Sequence, residues 1–396
     1  MKLVAFTEYV YHRIDGTLYG ERAFAVFLGG LVDHFDELTI VGREDPEPRD
    51  CHYALPRNVR FVALPHYPSL TQPVAVGSSL VRSVVRFWRA IADADRVWLL
   101  GPYPHAVAFA LVTRLRRRPL VLGVRQDFPS YVRSRRPNRR WMHLAADILE
   151  WAWRRLARRS TVVVVGPDLA ERYRRAPALL EMAVSLISDE DVETGAASAA
   201  ARSYAGALRL LSVGRIDQEK NPLLLAEVLA LLRERDPRWT LEICGDGAMK
   251  AALEARVSEL GLSDHVTFHG YLPVHGGLMD LYRSSHVFLH ISLTEGMPQV
   301  LIEAFGCGVP VVATAVGGVP AAVGGAALLI PPSDARSAAD AVGRIASDPA
   351  LRERLIEAGL EQARRQTMAG ETGRVAAFIR NGAAPRAVEG ARRPPD

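Results

Sequence analysis

"LTEGMPQVLIEAFGCGVPVVATAVGGVP", residues 293–320, carries two acids, Glu295 and Glu303, in an otherwise apolar, glycine-rich stretch. Seven residues separate them, and no Lys, Arg or His lies in the segment. The preceding "VFLHIS" reads as a strand. Pro298 opens a helix that runs to about Phe305, "GCGVP" ends it, and "PVVAT" is the next strand. Glu295 then sits in the loop before the helix, and Glu303 lies about 7–8 Å along it. A helix start favours anions through its orphan amides and dipole. Neither acid is itself a phosphate ligand, because like charges repel. A carboxylate accepts hydrogen bonds in pairs, which matches a vicinal diol. Taken singly, Glu295 reads equally as a helix-dipole acid and Glu303 as a solvent-facing helix residue.

Outward from this segment, short β-rich runs alternate with helical ones. The expected strands are "KLVAF", "LTIVG", "VRFVAL", "RVWLL", "LVLGV" and "TVVVVG", then "LRLLSVG", "TLEICG", "VTFHG", "VFLHI", "PVVAT" and "ALLIP". Such alternation predicts parallel sheets covered on both faces, and it occurs twice. The expected fold class is α/β with two doubly wound domains. The first spans 1–192, an Ala-rich linker 193–206, the second domain 207–362, a further helical segment 363–380 and a disordered tail 381–396.

The length of 396 residues agrees with two domains. Hydrophobic content of 49% and charged content of 23% exclude a disordered chain. The apolar runs are too short for a membrane span, and "MKLVAFTEYV" turns polar too soon for a signal peptide. Three scattered cysteines, Cys51, Cys244 and Cys307, suit a reducing cytoplasm. The net charge of +5 is uneven: residues 111–175 hold 17 Arg against 5 acids. Within that region, "YVRSRRPNRRWMHLAADILEWAWRRLARRS" (131–160) mixes arginines with tryptophans. It reads either as a surface for an anionic membrane at its cytoplasmic face or as a solvated basic face over core tryptophans. No nucleic-acid recognition motif accompanies the charge.

Three further motifs fall at strand ends, where open α/β sheets bind ligands. In "SVGRIDQEKNPLLLAEVL" (212–229) a strand ends at Gly214, and Arg215 and Lys220 follow. Asn221 is a candidate N-cap and Pro222 a candidate first helical residue. Two cations beside a helix start make an anion site. The alternative is two solvated cations near Asp217 and Glu219. "GDGAMK" supplies Gly245 and Gly247, but Lys250 stands where a dinucleotide fingerprint needs its third Gly. "TAVGGVP" (314–320) is either a turn or a loop closing on a ligand. A ligand with phosphates in its middle and polyols at both ends would use all of these groups, as a nucleotide sugar does.

The second half resembles the retaining glycosyltransferases of the GT-B fold, glycosyltransferase family 4. Its E-x7-E signature is matched by Glu295 and Glu303, and its basic pair by Arg215 and Lys220 in "VGRIDQEKNP". The "GDG" turn, "VTFHGYL" (266–272) and the trailing "GG" are similar too. The resemblance implies two Rossmann-like domains facing across a cleft, a helix at 363–380 returning to the first domain, and a hexosyltransferase acting on a UDP- or GDP-linked sugar. It implies no cofactor and no metal. Arg215 and Lys220 would hold the diphosphate, Glu303 the ribose and Glu295 the transferred sugar. Tyr271 would border the base, with Gly214, Gly245, Gly247, Gly296, Met297, Pro298, Gln299 and Val300 lining the donor. In the first half, Gly16 and Gly20 are the nearest candidates for a glycine-rich loop after the first strand. "GVRQDFP" departs from the family by placing Arg125, Gln126 and Asp127 where a His–Asp pair is common. Gln126 and Asp127 are the acceptor-side candidates, and pairing with a nearby arginine is the alternative for Asp127.

The expected acceptor is a glycan, a lipid-linked sugar or a soluble small molecule, in glycan, exopolysaccharide or glycoconjugate synthesis. A nucleotide-sugar epimerase, a nicotinamide-dependent enzyme and a pure binding module are the rival classes.

Overall fold

The computed structural model describes residues 1–382 apart from 22, 48–50, 68–70 and 136–137. Residues 383–396, most of the expected tail, lie outside that set. Met1–Met182 with the stretch beginning at Thr372 makes one compact unit, and Ala183–Glu371 makes the other.

In the first unit the strands are β1 (Lys2–Ile14), β2 (Thr17–Gly20), β3 (Glu37–Glu44), β4 (Tyr53–Ala54), β5 (Arg60–Pro65), β6 (Arg96–Gly101), β7 (Leu120–Val124), β8 (Thr161–Val165) and β9 (Ala178–Met182). Seven are parallel, in the order β5-β3-β1-β6-β7-β8-β9. The expected glycine-rich loop after the first strand is absent. Instead β1 passes an irregularity between Phe6 and Val10 and runs on into a hairpin with β2. Asp15 and Gly16, at φ 48 and 78, form its two-residue turn. Gly20 lies within β2, where a β-carbon would meet that of Ala25 at 2.5 Å. The hairpin sequence explains the placement of both glycines.

In the second unit β10 (Leu208–Val213), β11 (Trp239–Cys244), β12 (Val266–Gly270), β13 (Val287–His290), β14 (Val311–Thr314) and β15 (Ala327–Ile330) are all parallel, in the order β12-β11-β10-β13-β14-β15. Every residue of β13 and β14 is buried, as strands covered on both faces require. The order reverses between β10 and β13. The carboxyl ends of these two strands therefore open a crevice that no crossover covers.

Two boundaries differ from expectation. Most of the stretch 193–206, expected as a linker, is helical: Asp189–Ala201 starts at a capping box between Ser188 and Asp191. Its small residues serve contact, since a β-carbon on Gly195 would stand 2.1 Å from the Gly306 carbonyl oxygen. The helix is thus packed on Gln299–Gly306 inside the second unit. The expected returning helix is two helices, Pro349–Arg365 and Met368–Asn381, and the division between units falls inside the latter.

Candidate active site

The second unit gathers its chemistry at the β10/β13 crevice, lined by Gly214, Arg215, Lys220, His290 and Ser292 among others. Pro298 precedes the helix Gln299–Gly306 as its cap residue, so Glu295 lies in the loop and Glu303 in the helix, as the segment predicts.

The acids find partners outside their own segment. Lys220 Nζ pairs with Glu295 Oε1, and His290 Nε2 lies 3.0 Å and the donating Ser292 hydroxyl 2.8 Å from the same oxygen. Burial would raise the Glu295 pKa. The His290 hydrogen bond and the charge of Lys220 more than reverse this and hold it at about 2. All three contacts fall on Oε1 rather than Oε2. Glu303 has the opposite environment. It is buried, accepts one hydrogen bond from the Tyr282 hydroxyl at 3.0 Å, and is pushed up to about 7 by burial, which that bond only partly offsets. Two carboxylates of one motif are thus separated in acidity by their surroundings. Glu303 is no solvent-facing residue.

Both cations are paired with acids. Arg215 is held between Asp217 and Glu219. The Asp217 carboxylate also accepts the Ala248 N–H at 3.1 Å. Asn221 is not the N-cap. It takes the left-handed conformation at φ 53, and the helix begins after Pro222 at Leu223 with no side-chain cap. The sequence suggests an N-cap here, but the 3-10 turn Gln218–Lys220 ends at Asn221 and uses it as a C-cap.

The glycines fix the loops. A β-carbon on Gly245 would stand 1.9 Å from the Gly214 oxygen, and one on Gly247 2.4 Å from that of Ile216. The β10 and β11 loops therefore run in backbone contact, joined by Gly214 N–H to Cys244 O and Ile216 N–H to Asp246 O, each 2.9 Å. Gly317 and Gly318 press on the Glu295 and Gly296 carbonyls in the same way. Tyr271, exposed, follows β12, whose Gly270 oxygen accepts the Gly245 N–H at 2.7 Å. Gly296 is exposed, Met297, Gln299 and Val300 are half-buried, and Pro298 is buried.

Sequence reasoning missed His290, Ser292 and Tyr282. The signal for the first two was their position at the end of the strand leading into the motif. Tyr282 gave no local signal.

In the first unit, Asp127 accepts hydrogen bonds from Arg172 and the Ser130 hydroxyl, both at 2.7 Å. Burial would raise its pKa, but these partners hold it below the usual range. The arginine-paired alternative is the observed one. Gln126 is half-buried in the same loop. Arg125 stacks 3.9 Å over the Phe24 ring and is lowered to about 9 by burial.

The description "Glycosyl transferases group 1" matches residues 197–362. The alpha-D-kanosaminyltransferase of Streptomyces kanamyceticus is 30% identical over 281 residues, 68% of this chain and 70% of that enzyme. The chain belongs to the group 1 glycosyl transferases. A D-inositol 3-phosphate glycosyltransferase of Kribbella flavida is 36% identical over 211 residues, but the chain spans only 49% of that enzyme, and 36% of its Arthrobacter counterpart. Among solved structures, sucrose-phosphate synthase of Thermosynechococcus elongatus superposes with a TM-score of 0.71 at 21% identity, covering 96% of this chain and 98% of that one. Anabaena HepE, solved in complex with UDP, gives 0.68 at 17%, covering 96% and 100%. The fold is therefore that of the GT-B glycosyltransferases, with two Rossmann-like sheets.

Two outcomes follow from this geometry. Gly318→Ala should destabilise the chain by about 1–3 kcal/mol, because a backbone carbonyl blocks the new methyl. Gly296→Ala, with open space around it, should change stability by less than about 0.5 kcal/mol; denaturant midpoints compare the two. Glu303 is an acid whose folded pKa is raised from 4.5 to about 7, so it costs stability progressively as pH rises through that interval. Relative to Glu303→Gln, the native chain should lose on the order of 2–3 kcal/mol between pH 4.5 and pH 8, read from unfolding curves at each pH.

Proposed function

We propose that the chain is a retaining glycosyltransferase that moves a hexosyl group from a nucleoside-diphosphate sugar to an acceptor hydroxyl. The observation that carries this reading is the convergence of Lys220, Arg215 and the ionised Glu295 at the β10/β13 switch point of a group 1 family member. HepE binds UDP at the same fold, which supports UDP as the first donor to test. The donor's diphosphate takes the place of Asp217, Glu219 and Glu295 as partner of the two cations. Glu295 Oε2 accepts from the transferred sugar, and Glu303 accepts from the ribose diol. The GDG loop and Tyr271 border the base.

The bond between the anomeric carbon and the diphosphate oxygen breaks, and its electron pair goes to the leaving phosphate. Preorganised cations stabilise that charge as it develops. The acceptor oxygen bonds to the anomeric carbon from the same face, and its proton passes to the departing phosphate. The name of one relative, a D-inositol 3-phosphate glycosyltransferase, favours an acceptor rich in hydroxyls.

A thermal-shift screen with UDP, GDP, ADP and TDP sugars should raise the melting temperature for one base. With that donor, Lys220→Ala should lose roughly 10²–10³ in turnover while keeping its fold. Wild-type turnover in that variant would overturn the assignment, and an epimerised donor without acceptor would replace transfer by isomerisation.

The cation site also holds more acids than cations, three against two. Glu219→Gln removes a competitor for Arg215 and should tighten nucleoside-diphosphate binding roughly two- to fivefold. The gain should shrink with added salt in calorimetric titrations.

A further inference from the structure

Three helices of the first unit carry large apolar side chains on their outward as well as their inward sides. Pro73–Ala90 buries Val76 and Phe87 together with Ser83 and Ser79, and the Ser79 hydroxyl donates to the Pro65 oxygen at 2.8 Å. Its outward side carries Val74, Val81, Val85 and Trp88, with Val81 70% exposed. Arg140–Ala157 buries Glu150 against the Tyr173 hydroxyl at 2.9 Å. Its outward side carries Trp141, Leu144, Ile148 and Trp151, spaced as one helical stripe. Trp151 is 65% exposed, whereas Trp153, two residues on, is fully buried. Between them Pro104–Leu115 exposes Leu111 and Leu115.

The stripes belong to one surface. Pro73–Ala90 packs on Pro104–Leu115, which packs on Arg140–Ala157, which packs on Phe128–Arg135 with its exposed Tyr131. These helices connect β5 to β6, β6 to β7 and β7 to β8. Right-handed crossovers advancing in one direction along a sheet place their helices on one face. A contiguous apolar surface of this kind marks a docking site.

Charge selects the occupant. Pro73–Ala90 and Pro104–Leu115 contain no Asp or Glu, but they carry Arg82, Arg86, Arg89 and Arg114. On Arg140–Ala157, Asp147 is taken by Arg133 at 2.7 Å and Glu150 is buried. The exposed Arg154, Arg155 and Arg158 end that helix beside Trp151. Arg116 lies 4.1 Å over the Trp88 ring. Protein interfaces deplete charge from their centres. A lipid interface accepts aliphatic groups and tryptophan at the headgroup boundary, and arginines beside anionic headgroups. Among the described residues no helix is long and apolar enough to cross a membrane.

We propose that this helix layer seats the chain on the surface of an anionic lipid bilayer, with Trp141, Ile148 and Trp151 in the headgroup boundary and the arginines on the headgroups. The inference stands apart from the transferase reading and would survive its failure.

The full chain should co-sediment with vesicles of phosphatidylcholine and phosphatidylglycerol, much less with phosphatidylcholine alone, and should be released by salt. Ile148→Gln with Trp151→Gln, both at exposed positions, should weaken vesicle binding roughly tenfold or more. Arg154→Gln with Arg155→Gln should do the same for anionic vesicles only. Circular dichroism confirms that the variants fold. Failure to bind anionic vesicles, or unchanged binding in the Ile148/Trp151 variant, would overturn the proposal. So would lipid-free self-association that the same variant abolishes, because the layer would then be an interface between copies.

Discussion

The carbonyl oxygens of Glu295 and Gly296 lie where β-carbons on Gly317 and Gly318, respectively, would have to go, each contact being 1.9 Å. The rest of the site depends on that close approach. It brings the loop after β14 onto the loop after β13, and the Gly318 N–H bonds the Glu295 oxygen at 3.2 Å. On the other side, Leu293 N–H reaches Glu219 O at 2.8 Å, which ties the same loop to the one after β10. The Thr314 hydroxyl donates to Ser292 O at 2.7 Å from beneath. The loop that carries Glu295 is therefore held by three contacts that do not involve the Glu295 side chain. A ligand-binding carboxylate held this way loses little entropy when it meets its ligand.

Electrostatics then divides the labour between the two acids. Glu295 sits among donors and stays ionised. Glu303 sits in the interior with one donor, and its charge is expensive until further donors arrive. Vicinal hydroxyls would supply them. The cations of the site are paired with acids, and one of its acids is only half-charged near neutrality. In the proposed reaction, binding would be an exchange of partners, in which internal acids give up Arg215 and Lys220 to a diphosphate.

The second unit was largely legible in the sequence because its information is local. Buried parallel strands read as continuous apolar runs, and a motif such as E-x7-E spans one loop and one helix. The site residues missed there, His290, Ser292 and Tyr282, act on carboxylates through space. Asn221 misled because an N-cap and a left-handed C-cap favour the same residue type. The 193–206 stretch misled because Ala and Gly serve a linker and a close helix contact equally well. In the first unit the Asp–Gly pair at 15–16 was itself a hairpin signal. It passed unread because a loop after the first strand was expected there.

The same local patterns explain why the basic region could not be settled from sequence. A helix with Ser79 and Ser83 on one side and Val81 and Val85 on the other reads as amphipathic in either orientation, and pattern alone would turn the valines inward. Only the packed unit shows which side the sheet takes. The inward side holds Val76 and Phe87 with the two serines between them, and the Pro65 oxygen satisfies the Ser79 hydroxyl. That choice leaves valine and tryptophan in water at a cost the isolated unit does not recover. On the proposed bilayer surface these side chains would leave water again.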